Sequence, residues 1–243
     1  MLKACLNGRR RPGEHRALPV TPAHLASDTL ACVAAGAAAV HFHPKDAAGA
    51  DTLDGATVAK VVEAVRAASP QTPLGLTTGA WAAAGPNERL TAVRGWPVLP
   101  DFASVNWHEA GATDIAELLL ARGVGVEAGL WTPEAVRSWA GWRYRTRCLR
   151  VLLEVVDDLS TGAALAAAGH LFDALHKAQG VPVLLHGEGR SAWPVLEAAV
   201  RRGLDVRIGL EDVLVLPDGR PAADNAELVA AAQAVINRAS ASG

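Results

Sequence analysis

The chain has 243 residues, half of them hydrophobic, with 23 basic and 25 acidic side chains and a formal charge of -2. So even a balance excludes bulk electrostatic attraction to nucleic acid or an acidic surface, and no apolar run reaches the roughly 20 residues of a membrane span. Three widely spaced cysteines, Cys5, Cys32 and Cys148, argue against a disulfide framework, and the short apolar N-terminus lacks the form of a signal peptide, so the expected compartment is the cytoplasm.

Short apolar runs recur near residues 2 to 7, 38 to 43, 73 to 78, 101 to 106, 124 to 130, 149 to 156, 181 to 186 and 205 to 211. Their hydrophobicity is continuous rather than alternating, as in strands covered on both faces. Most lead through a turn into a helical pattern. Thr21-Pro22 opens one helix and Gly36 closes it; Val58, Val61, Val62 and Val65 form a stripe at helical spacing; Thr132-Pro133 opens another helix. Leu228, Val229, Ala232, Val235 and Ile236 follow a cap at Asn225. This alternation predicts an α/β fold, a single-domain (β/α)8 TIM barrel over residues 1–243, with an open doubly wound sheet as the alternative.

In such a barrel, chemistry gathers where strands run into helices. The first strand opens into Arg9-Arg10-Arg11-Pro12-Gly13-Glu14-His15-Arg16, whose cations suit an anionic substrate, with Arg10 a candidate contact, or simply a solvated loop. The second ends in His41-Phe42-His43. Side chains alternate along a strand, so the two imidazoles share a face and suit a divalent metal that still needs a third donor. The third ends in Thr77-Thr78-Gly79, two hydroxyls and a glycine. On the fourth, Ser104, Asn106 and His108 share a face. Glu127 puts a carboxylate inside the apolar fifth run, as a site residue or as half of a buried ion pair. The sixth run, Leu152-Leu153-Glu154-Val155-Val156-Asp157, is less informative. The seventh ends in His186-Gly187-Glu188-Gly189-Arg190, at a position that commonly holds phosphate in barrels. On the eighth, alternation puts Arg207, Gly209 and Glu211 on an inward face. Closure sets that strand beside the first, with the second next, so Glu211 is the predicted third metal ligand. Three protein ligands with open positions describe a catalytic site.

Taken together, Leu18-Pro19-Val20-Thr21-Pro22, Ala35-Gly36-Ala37, His41-Phe42-His43-Pro44-Lys45-Asp46, Thr77-Thr78-Gly79, Arg207-Ile208-Gly209-Leu210-Glu211-Asp212 and Asn225-Ala226-Glu227-Leu228-Val229 resemble the β-keto acid cleavage enzymes. The founding activity of that family is 3-keto-5-aminohexanoate cleavage. The resemblance implies a (β/α)8 barrel with zinc on His41, His43 and Glu211. It also implies acetyl-CoA as co-substrate, condensed with a β-keto acid to give acetoacetate and a new acyl-CoA. Asp212 would be the base, paired with Arg207, and Thr77 would bind the substrate carboxylate or a developing oxyanion. Arg10, Thr78, Asn106 and Glu127 are the further substrate-binding candidates, and a homo-oligomer is expected.

Departures from the pattern shape the expectation. Arg9 to Arg11 stand where the founding activity uses an acid for the substrate's amino group, so the expected substrate carries an anionic or neutral polar group instead. Trp107-His108-Glu109 replaces a small glycine-containing turn, and Asp157-Asp158-Leu159-Ser160 a glycine-rich one, which alters the expected acyl-CoA pocket. Zinc hydrolases of the amidohydrolase kind carry His-x-His on the first strand, with further histidines on strands five and six, which this chain lacks. The remaining alternatives are a metal-dependent hydrolase or lyase on the same site, and a barrel that binds metal or small acids without catalysis. Arg207 and Asp212, which a metal does not need, favour the enzyme.

Overall fold

Strands that are apolar on both faces are stable only when both are covered, and this chain covers them by closing a parallel sheet inside a ring of helices. The computed structural model describes residues 1–156, 158–175 and 180–241, so Asp157 of the predicted turn lies outside the described residues. The strands are β1 (Leu2–Cys5), β2 (Ala39–Phe42), β3 (Leu74–Thr77), β4 (Phe102–Asn106), β5 (Gly125–Leu130), β6 (Arg150–Val155), β7 (Val183–Gly187) and β8 (Val206–Ile208). Each pairs in parallel with the next from β1 to β7, and β8 pairs with β1. Closure comes at Asp205, just before β8, which accepts the Leu185 N–H at 3.0 Å and donates its own to Val183 at 3.1 Å. The result is the (β/α)8 barrel that the apolar runs predict.

The helices outside it are α1 (Pro22–Ala34), α2 (Gly55–Ala68), α3 (Pro86–Arg94), α4 (Ala112–Ala121), α5 (Pro133–Gly141), α6 (Thr161–Leu175), α7 (Ala192–Arg201) and α8 (Asn225–Ala241). Thr21 and Thr132 cap α1 and α5, each hydroxyl accepting an N–H at 3.2 Å. The valine stripe of α2 is fully buried against the barrel. On α8, Leu228, Val229, Ala232 and Val235 are buried and Ile236 partly so.

Asn225 does not cap α8. That role falls to Asp224, whose Oδ1 accepts the Glu227 N–H at 2.8 Å. Asn225 turns inward instead: it accepts the Leu210 N–H at 2.6 Å and donates to the Leu6 carbonyl at 2.8 Å and to Asp28 at 2.7 Å. One amide thus joins α8 to the ends of β8 and β1 and to α1. Buried polar groups need partners, and this one satisfies three at once.

Glu127 is likewise corrected. It is fully buried early in β5, where Lys3 of β1 meets it at 2.5 Å and Arg150 of β6 at 3.2 Å. Arg150 continues to Asp205 at 2.8 Å. These residues lie at the starts of their strands, the end of the barrel opposite the strand-to-helix loops, so Glu127 is half of a structural ion pair and not a substrate contact. Among the described residues, no helix is long and apolar enough to cross a membrane.

Candidate metal centre and substrate pocket

The end of β2 is set by β1. Asn7, just past β1, accepts the His43 N–H at 2.8 Å and donates to the His43 carbonyl at 3.0 Å. The His41 and His43 rings then meet edge to face with centroids 5.3 Å apart. Glu211 arrives from the turn after β8, lying against Gly8. That glycine has φ +52°, and a Cβ on it would stand 2.3 Å from the Glu211 Cγ, so only glycine lets the carboxylate in.

Glu211 Oε2 sits 4.0 Å from His41 Nε2 and 3.9 Å from His43 Nε2, and the three donor atoms lie within 4.8 Å of one another. This oxygen is buried without a hydrogen-bond partner among the described residues. His43 Nδ1 donates to Asp51 at 2.7 Å, which turns Nε2 toward Glu211. Burial would raise the Asp51 carboxyl, but His43 and Lys45 hold it down at about 2, so it stays an acceptor. Burial, then the neighbouring His43, holds the His41 imidazole well below its ordinary basicity and keeps it neutral. Two imidazole Nε2 atoms and an orphaned carboxylate oxygen form a donor set that fits a divalent first-row metal, with a carboxylate behind one histidine as such sites commonly have.

Beside it, Arg207 of β8 points into the barrel and is shared by three acids: Asp212 at 2.6 Å, Glu211 at 3.0 Å and Glu188 at 3.8 Å. Burial raises the Asp212 carboxyl despite Arg207. Glu188, last served by the guanidinium, is pushed up to about 8 by burial and then by the Asp212 charge. His186 spans from Glu154 at 3.0 Å to within 3.8 Å of Asp212.

Arg207, Glu188 and Glu154 line a cavity of about 550 Å³ at the strand-to-helix end, and Asp212 and His186 are buried behind its wall. Thr77, Asn106 and Arg10 line it, as do His41, His43 and Glu211; Asp212 stands behind Arg207. The Thr77 oxygen accepts the Gly79 N–H at 3.0 Å, which leaves its own O–H to donate. Asn106 is anchored by Glu109 at 2.9 Å, and Arg10 by the Leu210 carbonyl. Thr78 is corrected: it is fully buried, and its hydroxyl donates to the Ser104 carbonyl at 2.7 Å, because neighbours on a strand face opposite ways. The Trp107-His108-Glu109 segment mostly turns away. Trp107 packs on Trp142 at 5.1 Å and Glu109 pairs with Arg89, and the segment meets the wall only indirectly, Glu109 through Asn106 and His108 through Trp131 at 4.3 Å.

Sequence reasoning did not assign Trp81, Glu154 and Glu188 to the pocket, nor Asp51 to its place behind His43. Glu154 carried the same signal as Glu127, an acid inside an apolar strand, and Glu188 stood in the loop after the seventh strand. The place of Glu154 near the end of β6 sets it at the pocket, whereas Glu127 sits near a strand's start.

The model of the β-keto acid cleavage enzyme family matches residues 1–242. The chain belongs to that family. Among curated proteins, this β-keto acid cleavage enzyme family member is 24% identical to the 3-keto-5-aminohexanoate cleavage enzyme of Fusobacterium nucleatum subsp. nucleatum, over 94% of this chain and 88% of that one. Among solved structures, ObcA in a ternary complex with a C4-CoA adduct and oxalate superposes with a TM-score of 0.73 at 19% identity, over 91% of this chain. The family member spans 64% of ObcA in that comparison, less than two thirds of its length. A type I 3-dehydroquinate dehydratase from Clostridium difficile has a TM-score of 0.65 at 11% identity, over 98% of this chain and 90% of its own, a likeness of fold.

Proposed function

We propose that this family member is a zinc-dependent enzyme that condenses a β-keto acid with acetyl-CoA, releasing acetoacetate and the acyl-CoA of the remaining fragment. The observation that carries the reading is the unpartnered Glu211 oxygen facing two imidazole nitrogens beside the Arg207–Asp212 pair. Zinc held by His41, His43 and Glu211 would supply a Lewis acid to the paired keto and carboxylate oxygens of the substrate. The chain's own groups do the rest.

Asp212, held by Arg207, takes a proton from the carbon between ketone and carboxylate. Burial raises its carboxyl and so strengthens it as a base. The carbanion adds to the thioester carbonyl and expels the CoA thiolate. That thiolate attacks the original ketone, the carbon–carbon bond breaks, and the proton on Asp212 returns to the acetoacetate carbanion, so atoms and charge balance. The free O–H of Thr77 holds the substrate carboxylate, and the Asn106 amide lines the same side of the pocket from the end of the neighbouring β4. Arg9 and Arg10 at the mouth favour a substrate whose far end is anionic. Glu14 also lines the pocket but is taken up by Arg10 at 3.3 Å and the Arg11 N–H at 2.6 Å, so it leaves little charge for an amine. The ObcA complexes, one with oxaloacetate and one with a C4-CoA adduct and oxalate, support a keto acid and a CoA thioester as the ligand pair.

The test is a panel of β-keto acids with acetyl-CoA, the CoA esters being read by mass spectrometry. Acidic members should outrun aminated ones. A metal-loaded protein that forms no CoA ester from any member would leave a binding barrel without transfer chemistry.

A further inference from the structure

Trp81 stands in the short 3-10 turn Ala80–Ala82 after β3 and is 36% exposed, yet its orientation is closely determined. Its indole N–H donates at 2.7 Å to Asp51 Oδ2, the same oxygen that accepts the His43 Nδ1 proton at 2.7 Å. Its ring stacks on the His43 imidazole, with centroids 5.9 Å apart and planes 24° from parallel. The Arg9 guanidinium lies 4.7 Å over the same indole. Gly79 leaves room for it, since a Cβ there would stand 2.3 Å from the indole carbons.

A histidine that binds metal has two freedoms to lose, the rotation of its ring and the choice of nitrogen that carries the proton. Asp51 removes the second by holding the proton on Nδ1. Asp51 must itself be held, and its two oxygens are taken from opposite sides: Lys45 donates to Oδ1, and Trp81 to Oδ2. Lys45 is in turn tied to the Gly8 and Arg10 carbonyls at 2.6 and 2.9 Å. The stacked indole opposes the first freedom, because the imidazole cannot turn without leaving its plane.

We infer that Trp81 is a positioning residue for the metal centre: through Asp51 and the face of His43 it raises the metal affinity of a site whose ligands it does not include. This rests on the metal-site reading above.

Zn2+ dissociation constants for the wild-type chain, Trp81→Phe, Trp81→Ala and His43→Ala, from competition with a chromogenic chelator, test it. The groups that orient metal-binding histidines are commonly worth about 10- to 100-fold in affinity, so Trp81→Ala should weaken Zn2+ binding at least tenfold. Trp81→Phe keeps the plane, loses the N–H, and should fall between. The visible spectrum of the Co2+-loaded protein should shift in Trp81→Ala, a signature that simple loss of pocket cover would not produce. Trp81→Ala binding Zn2+ as tightly as wild type would overturn the inference. If the alanine variant fails to fold, Trp81→Phe decides: severalfold weaker binding supports the inference and unchanged binding overturns it. Wild type that binds no Zn2+, or His43→Ala that retains it, would overturn the metal-site reading itself, and this inference with it.

Discussion

Asn7 and His43 hold each other in both directions, the asparagine amide accepting the histidine N–H at 2.8 Å and donating to its carbonyl at 3.0 Å. The same amide reaches the Pro19 carbonyl at 3.0 Å. Asn7→Ala strands these buried groups, and at the usual cost of an unmade buried hydrogen bond it should lose about 2 to 4 kcal/mol in urea unfolding. Zinc content should fall with it, because the backbone that aims His43 is no longer fixed.

Gly8→Ala attacks the other side of the same centre. Its Cβ would stand 2.3 Å from Glu211 Cγ at a φ of +52°, so the ligand must move. Elemental analysis should find the variant poor in metal. Gly13→Ala is the control, since it also sits at positive φ, +95°, but has nothing within 4 Å. It should cost a little stability and no metal.

Asp212→Asn separates the base from the metal. The variant should keep its zinc and lose about 10²- to 10⁴-fold in turnover, the usual worth of a positioned base. An unchanged rate would assign the proton elsewhere.

The Lys3–Glu127 pair is predicted to matter for stability alone. Lys3→Met removes the 2.5 Å partner of a fully buried carboxylate, and breaking a buried pair costs about 3 to 5 kcal/mol. Metal content and KM should stay at wild-type values in the folded fraction. A KM that moved would return Glu127 to the substrate site.

Asp28 makes stability depend on pH. Burial pushes its carboxyl from the ordinary 3.8 up to about 7, against the hydrogen bond from Asn225. A folded-state value above the unfolded one means that the folded chain holds a proton the unfolded chain releases. That stability is complete below about 3.8 and is lost as pH rises through about 7. Denaturation midpoints for Asp28→Asn should fall less between pH 5 and pH 8 than those of wild type, and the variant should be the more stable at pH 8.

Chain periodicity alone carried the barrel, because continuous apolar runs followed by helical stripes are local patterns with one stable way to cover two sheet faces. It also paired His41 with His43, since strand alternation is local. Glu211 was within reach of the same reasoning once closure set the last strand beside the first. Asp51 and Trp81 were not legible: they stand in loops, which have no period, and their partners are chosen by how the loops fold over the barrel mouth.

Glu127 and Glu154 show where local reading stops. In sequence both are acids within apolar strands, and nothing nearby separates them. The closed barrel does, by depth. Near a strand's start, Glu127 faces Lys3 and Arg150 away from solvent; near a strand's end, Glu154 faces His186 and the pocket. Residue type and spacing therefore determined which elements form and which side chains point inward. The tertiary structure decided which inward side chains share a layer, because that depends on the stagger of eight strands around a ring, a property of no single segment.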